Sequence, residues 1–279
     1  MRIEFRCLQD NMTVEDLLKH NNVSRRLITK LKRTKNGIAL NSLGIRTIDK
    51  LKVGDVIVIS IDDTHQLEAN PNLKAEIVYE DSDLIVFNKP YDMPVHPSIK
   101  HQGDTLGNYF SAVCSGLTFR PVNRLDRNTS GLCVVAKNAY AAKALSHAVK
   151  KTYYAVVSGV ISDSGTISQP IARESDSIIK RCVRCDGQTA VTHYEPIKMH
   201  NNYTLVKINL ETGRTHQIRV HFSFIGYPLA GDSLYGGDCT RIERQALHCG
   251  MLIFTKPLTH EKIILSAKLP NDMSKLIDY

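Results

Sequence analysis

Apolar residues fall in short alternating or continuous runs more often than at helical spacing, which predicts a strand-rich chain. Strands are expected over 38–40, 56–61, 77–79, 84–87, 131–136, 153–160, 190–194, 204–210, 246–254 and 263–267. Asn36-Gly37, Gly54-Asp55 and Asp81-Ser82-Asp83 supply turns between them. Fewer helices are expected. Thr13, with Asp16 three residues on, caps a short one through Leu17 and Leu18, and Ser24 caps a second with Leu27, Ile28 and Leu31 on one face. Others are expected over 139–149, over 215–225 with Gly226 as its stop, and at the C-terminus. Residues 62–76 lack periodicity, contain Asn-Pro and read as a linker. The expected division is a small α+β unit over 1–61, the linker, and an α+β domain over 77–279 with a large mixed, largely antiparallel sheet.

At 279 residues with 42% hydrophobic content, the chain can build a sizeable core unaided. It has no apolar run long enough for a membrane span, and its charged start, MRIEFRCLQD, is unlike a signal peptide. Seven cysteines without an export signal then read as free thiols in the cytoplasm. The net charge of +8 is concentrated: residues 1–60 hold 12 Lys+Arg against 6 Asp+Glu. Between Leu17 and Ile48 lie eight basic residues and no acid, with Arg26, Lys30 and Arg33 at i, i+4 and i+7 of the second helix, flanked by Arg25 and Lys32. A solvated helix face is one reading. Repulsion among like charges on so short a helix favours the other, contact with a nucleic acid.

Common phosphate-loop, dinucleotide, serine-hydrolase and zinc-protease motifs are absent. Cys182 and Cys185 form a single Cys-x-x-Cys pair, with poor ligand geometry if that stretch is extended, so no metal site is expected. His216 and His221, five apart, read as structural or RNA-contacting. In Arg124-Leu125-Asp126-Arg127-Asn128-Thr129-Ser130-Gly131 an acid sits between two arginines at the entrance to an apolar strand. That is either a structural ion pair or a carboxylate prepared as nucleophile or base.

The Arg-Leu-Asp-x-x-Thr-Ser-Gly run resembles the catalytic motif of the RluA family of RNA pseudouridine synthases. The resemblance extends through 77–270: Val86-Phe87-Asn88-Lys89-Pro90, Val95-His96-Pro97, the Lys151 to Gly159 segment with Tyr153, Leu210 through His221, Gly226-x-Pro228, Gly231-Asp232, Tyr235-Gly236 and Gln245 to His248. One departure is Asn123, where the family often has His. The resemblance implies isomerisation of a uridine in structured RNA without a cofactor; a monomer is expected, with no protein partner implied and ribosomal RNA ahead of transfer RNA as substrate. Asp126 would be the essential acid, attacking ribose C1′ or removing the 2′ proton. Arg219 would pair with it, Tyr153 would stack on the uracil, and Arg124 would fill the gap left by the flipped base. Arg214 would also bind substrate. The N-terminal unit resembles the small RNA-binding domain named for ribosomal protein S-four, which places Arg26, Lys30 and Arg33 on backbone phosphates.

Two other readings compete. An inert RNA-binding factor on the same scaffold is disfavoured because Asp126, Tyr153, Arg214 and Arg219 are all present. Nucleoside or glycoside hydrolysis needs a positioned water and usually a second catalytic carboxylate, and no paired acid is visible near Asp126 in the sequence.

Overall fold

The alternation Arg2-Ile3-Glu4-Phe5-Arg6 buries Ile3 and Phe5 and leaves the charged residues outside, forming β1 (Arg2–Arg6). No strand was expected in this segment. The computed structural model describes residues 2–61, 66–175, 177 and 179–278. The Thr13 and Ser24 side chains accept from the backbone N–H groups of Asp16 and Leu27, starting α1 (Val14–His20) and α2 (Arg25–Arg33). With β2 (Ile38–Leu40), β3 (Leu43–Gly44) and β4 (Val56–Ser60), β1 makes an antiparallel sheet in the order β1-β4-β2-β3. Its core gathers Leu17, Leu18, Leu27, Leu31, Ile57 and Ile59, and it also takes in Tyr140 from far along the chain. The Tyr140 ring meets Phe5 edge-on, 5.6 Å between centroids.

Residues 62–65 of the expected linker lie outside the described residues, and 66–75 contain neither strand nor helix. That stretch is strapped down: Leu67 packs on the larger core, and the Glu68 carbonyl accepts from Asn108 Nδ2 at 2.8 Å. Asn108 belongs to α3 (Leu106–Val113), a helix missing from the expectations although Thr105 and Asn108 cap it reciprocally. Asn stands there in place of the usual Glu or Gln.

The larger sheet is built from β5 (Glu76–Glu80), β6 (Leu84–Lys89), β7 (Arg120–Pro121), β8 (Ser130–Ala136), β9 (Lys150–Ser158), β10 (Gly165–Ser168), β13 (Val191–His200), β14 (Tyr203–Leu210), β15 (Leu247–Thr255) and β16 (Lys262–Ser266). A separate ribbon joins β11 (Ile171–Arg173) to β12 (Arg181–Val183). The main order is β10-β13-β14-β9-β15-β8-β6-β5, with β16 on β15 and β7 on β8. All its named pairings are antiparallel except β15 with β8, so the sheet is mixed and largely antiparallel, as the pattern implied. β13 runs to His200, well past the expected end at 194, because a register shift between Pro196 and Lys198 lets the ladder pass a proline.

The helices α4 (Ala139–Leu145), α5 (Gln217–Phe224) and α6 (Asn271–Ile277) complete the chain. α4 stops four residues before the expected 149, and β9 follows from Lys150. α5 starts after His216, which is held left-handed at φ 57° and cannot be its first turn. No helix among the described residues is long and apolar enough to cross a membrane.

Candidate active site

The catalytic-type loop enters β8 through Gly131, whose φ is +113°. A Cβ there would lie 2.3 Å from the Cys249 carbonyl oxygen, so only glycine lets β8 pair in parallel with β15 at this point. Behind the loop Lys89 is fully buried and donates to the carbonyls of Pro90, Met93 and Arg127 at 2.8, 2.8 and 3.1 Å. Burial pushes its ammonium down to about 7. Asn123 is buried too: its Nδ2 donates to the Leu132 carbonyl and its Oδ1 accepts from the Val134 N–H, so it binds the strand edge of β8. The Thr129 N–H closes the turn on the Asp126 carbonyl at 3.0 Å.

Asp126 is thereby presented at a cleft also lined by Arg124, Tyr153, Arg214, His216 and Arg219. The flanking arginines do not form its close ion pair. Arg127 turns away to Asp92 at 2.7 Å, and Arg124 is exposed at the rim. Arg219 Nη1 from α5 donates to Asp126 Oδ2 at 3.2 Å. Its Nε and Nη2 grip both oxygens of Asp232 at 2.6 and 2.8 Å, and its guanidinium lies 5.0 Å from the Tyr235 ring centre. Burial works against the charge on Arg219, yet the two carboxylates raise its pKa above the ordinary arginine value.

This corrects the expectation that no second acid stands near Asp126. Asp232 shares its arginine but is only 1% exposed, with both oxygens engaged, so it does not face the cleft as a second catalytic carboxylate.

His216, Asp232 and Tyr235 had no assigned place at this centre. The Tyr235 hydroxyl accepts from the Arg181 N–H and sits 2.9 Å from His216 Nδ1, to which it can donate. That assigns the remaining proton to His216 Nε2, 3.7 Å from Asp126 Oδ2. Burial lowers the His216 pKa, with Arg219 adding to that and Asp126 opposing it. An inward-pointing arginine on α5 was the available signal that a counter-charge must lie elsewhere; the sequence could not say that it was Asp232. His221 is structural: buried, it bonds Thr192 and the Gln169 carbonyl.

Tyr153 is buried on β9, and burial drives its hydroxyl pKa well above the ordinary tyrosine value. Arg214 is exposed, but its turn is fixed from beneath, where buried Gln217 accepts from both the Arg214 N–H and the Thr212 hydroxyl at 2.9 Å. Arg26, Lys30 and Arg33 are not part of this assembly; they lie exposed on α2, outside the cleft. Among the described residues no group of three or more His, Cys, Asp or Glu is placed to hold a metal.

The family model for RNA pseudouridylate synthase matches residues 83–224, a span that contains Asp126, Tyr153 and Arg219. The chain belongs to the RNA pseudouridylate synthase family. It is 41% identical to the RNA pseudouridine synthase YjbO of Bacillus subtilis (strain 168), covering 95% of this chain and 98% of that one. It is 38% identical to the ribosomal large subunit pseudouridine synthase D of Haemophilus influenzae, over 80% and 75% of the two chains. Among solved structures, the human RNA pseudouridylate synthase domain containing 1 superposes with a TM-score of 0.58 at 27% identity, covering 70% of this chain and 83% of that one. This synthase is an isomerase that converts uridine in RNA to pseudouridine.

Proposed function

We propose that Asp126 carries the reaction and that the substrate is ribosomal RNA. The observation that carries this reading is the chain Asp126–Arg219–Asp232, which holds one carboxylate at the floor of a cleft by a buried and doubly anchored guanidinium. Asp126 acts on the ribose of a flipped-out uridine, at C1′ or at the 2′ proton. The uracil is released, turned and rejoined through carbon 5. Bond cleavage and bond formation are internal to one nucleotide, so the atoms balance and no cofactor is required. Tyr153, kept protonated by burial, offers its ring to the uracil. Arg124, at the exposed rim, fills the space the uridine vacates. Arg214 contacts the strand entering the cleft.

The ribosomal preference is supported by the name borne by the Haemophilus influenzae relative. The N-terminal unit over 1–61 serves as an S-four-type RNA-binding domain, with Arg26, Lys30 and Arg33 on phosphates, and the protein acts as a cytoplasmic monomer. Mapping pseudouridines in ribosomal and transfer RNA from cells with and without this protein tests the substrate. The expected result is loss at particular uridines of large-subunit ribosomal RNA, restored when the gene is returned. Loss confined to transfer RNA would overturn it.

A further inference from the structure

Beside the Asp126 cleft, between the β11–β12 ribbon and the Arg214-Thr215 turn, lies a second cavity of about 360 Å³. Arg173, Arg181 and Arg214 line it, and among the described residues its one acidic lining residue, Asp186, is paired with Arg184. Arg173 and Arg181 are Cα partners in the ribbon, so two like charges stand directly opposite each other. Such a pair destabilises a two-stranded ribbon. The hydrogen bonds that orient these side chains do not neutralise them: Arg214 Nε donates to the Thr189 carbonyl and Arg181 Nη1 to the Lys180 carbonyl.

Three arginines lining one cavity, two of them opposed across the ribbon at a cost to its stability, are complementary to an anion. We propose that Arg173, Arg181 and Arg214 hold one backbone phosphate of the substrate RNA beside the target uridine. The proposal rests on the Asp126 cleft being the reaction centre and adds the point that sets the distance along the strand. Two connections fix the phosphate site relative to Asp126. Arg214 lines both cavities, and the Arg181 N–H donates to the Tyr235 hydroxyl, which reaches His216 beside Asp126. Guanidinium forks match phosphate oxygens in geometry as well as charge. Such an interaction positions a strand without reading its bases, so it selects which nucleotide reaches Asp126 by register.

The test combines the double variant Arg173→Gln/Arg181→Gln with synthetic stem-loops carrying a single neutral methylphosphonate at each position flanking the target uridine. With the wild-type protein, neutralising one particular phosphate should weaken binding by about tenfold, the scale of a charge-assisted hydrogen bond. In the double variant the same substitution should have no further effect. The log–log salt slope of RNA binding should fall by about 0.7 for each phosphate no longer neutralised by the protein. Removing the opposed charges should leave the thermal midpoint of the free protein unchanged or higher, whereas a purely structural role would lower it.

Asp126→Asn should retain the methylphosphonate sensitivity while losing turnover, which separates failure of this proposal from failure of the catalytic assignment. Inorganic phosphate tests the other source of the same chemistry. If millimolar phosphate stabilises the wild-type protein while every methylphosphonate is silent, the ligand is a free anion and the RNA-phosphate proposal is overturned. It is equally overturned if no methylphosphonate effect disappears in the double variant.

Discussion

An arginine only 7% exposed, as Arg219 is, survives burial only with its charge met on the spot. Asp232 meets it with two hydrogen bonds, leaving Nη1 to point at Asp126. The aim of the Arg219–Asp126 pair is therefore set by a residue that does not line the cleft. Asp232→Asn should cost stability, on the order of 3–5 kcal/mol for a broken buried pair. If the fold holds, the turnover rate at saturating RNA should fall by roughly a hundredfold, since a misplacement of about 1 Å is enough for that. Single-turnover kinetics alongside a melting curve would check it; a normal rate in a destabilised protein would mean that Arg219 aims itself. At this scale the sequence was half legible. Asp126, Tyr153, Arg214 and Arg219 could be named because they sit in motifs with recognisable spacing. Asp232 and Tyr235 lie in segments that matched the same family pattern but carry no local sign of their partners, since what joins them to Arg219 is three-dimensional. His216 was legible as a histidine but not as a neighbour of Asp126. Its left-handed backbone places it off the helix on which a regular pattern would have set it.

Elements with strong local signals came out of the sequence nearly whole. The caps at Thr13 and Ser24, the Asn36-Gly37 turn and the hairpin at 81–83 all have side-chain or glycine chemistry that acts within three residues. What was missed lacked such a signal or disguised it. α3 is capped by an asparagine in place of an acid or amide of the usual length. β11 and β12 are three residues each and pair across a long loop. β13 outlasts its alternating pattern because the neighbouring strand carries it past Pro196. The basic helix α2 is the element whose function stands most apart from its fold: Leu27, Ile28 and Leu31 face inward, and Arg26, Lys30 and Arg33 are exposed. Replacing those three by Gln should leave the unit folded and lower the salt slope of binding to long RNA by roughly 0.7–0.9 for each phosphate that α2 ceases to neutralise. A short stem-loop confined to the Asp126 cleft should bind the variant and the wild-type protein alike. Binding isotherms at several salt concentrations decide it, and an unchanged slope with the long RNA would make α2 an ordinary solvated face.

Over the whole molecule, the N-terminal core and the largest core are separate but do not float apart. Tyr140 and Ala139 of α4 belong to the packing of the N-terminal core, while Leu67 packs on the larger core and the backbones of Glu68 and Asn70 bond Asn108 of α3. The sequence suggested a basic unit on a linker; the structure has it seated on the larger domain by an aromatic side chain that periodicity alone would have assigned to that domain's own core. The unit that carries the basic face and the body that carries the Asp126 cleft therefore share a packed contact at Tyr140. The central claim is that the protein delivers a uridine to one carboxylate. Asp126→Asn tests it most directly, because the amide keeps the side chain's shape while removing its charge. Pseudouridine formation should be measured in a single turnover on an RNA that the wild-type protein modifies, with affinity and melting temperature recorded in parallel. Abolished product with near-wild-type binding and stability is the predicted result, and near-normal product formation by Asp126→Asn would contradict it.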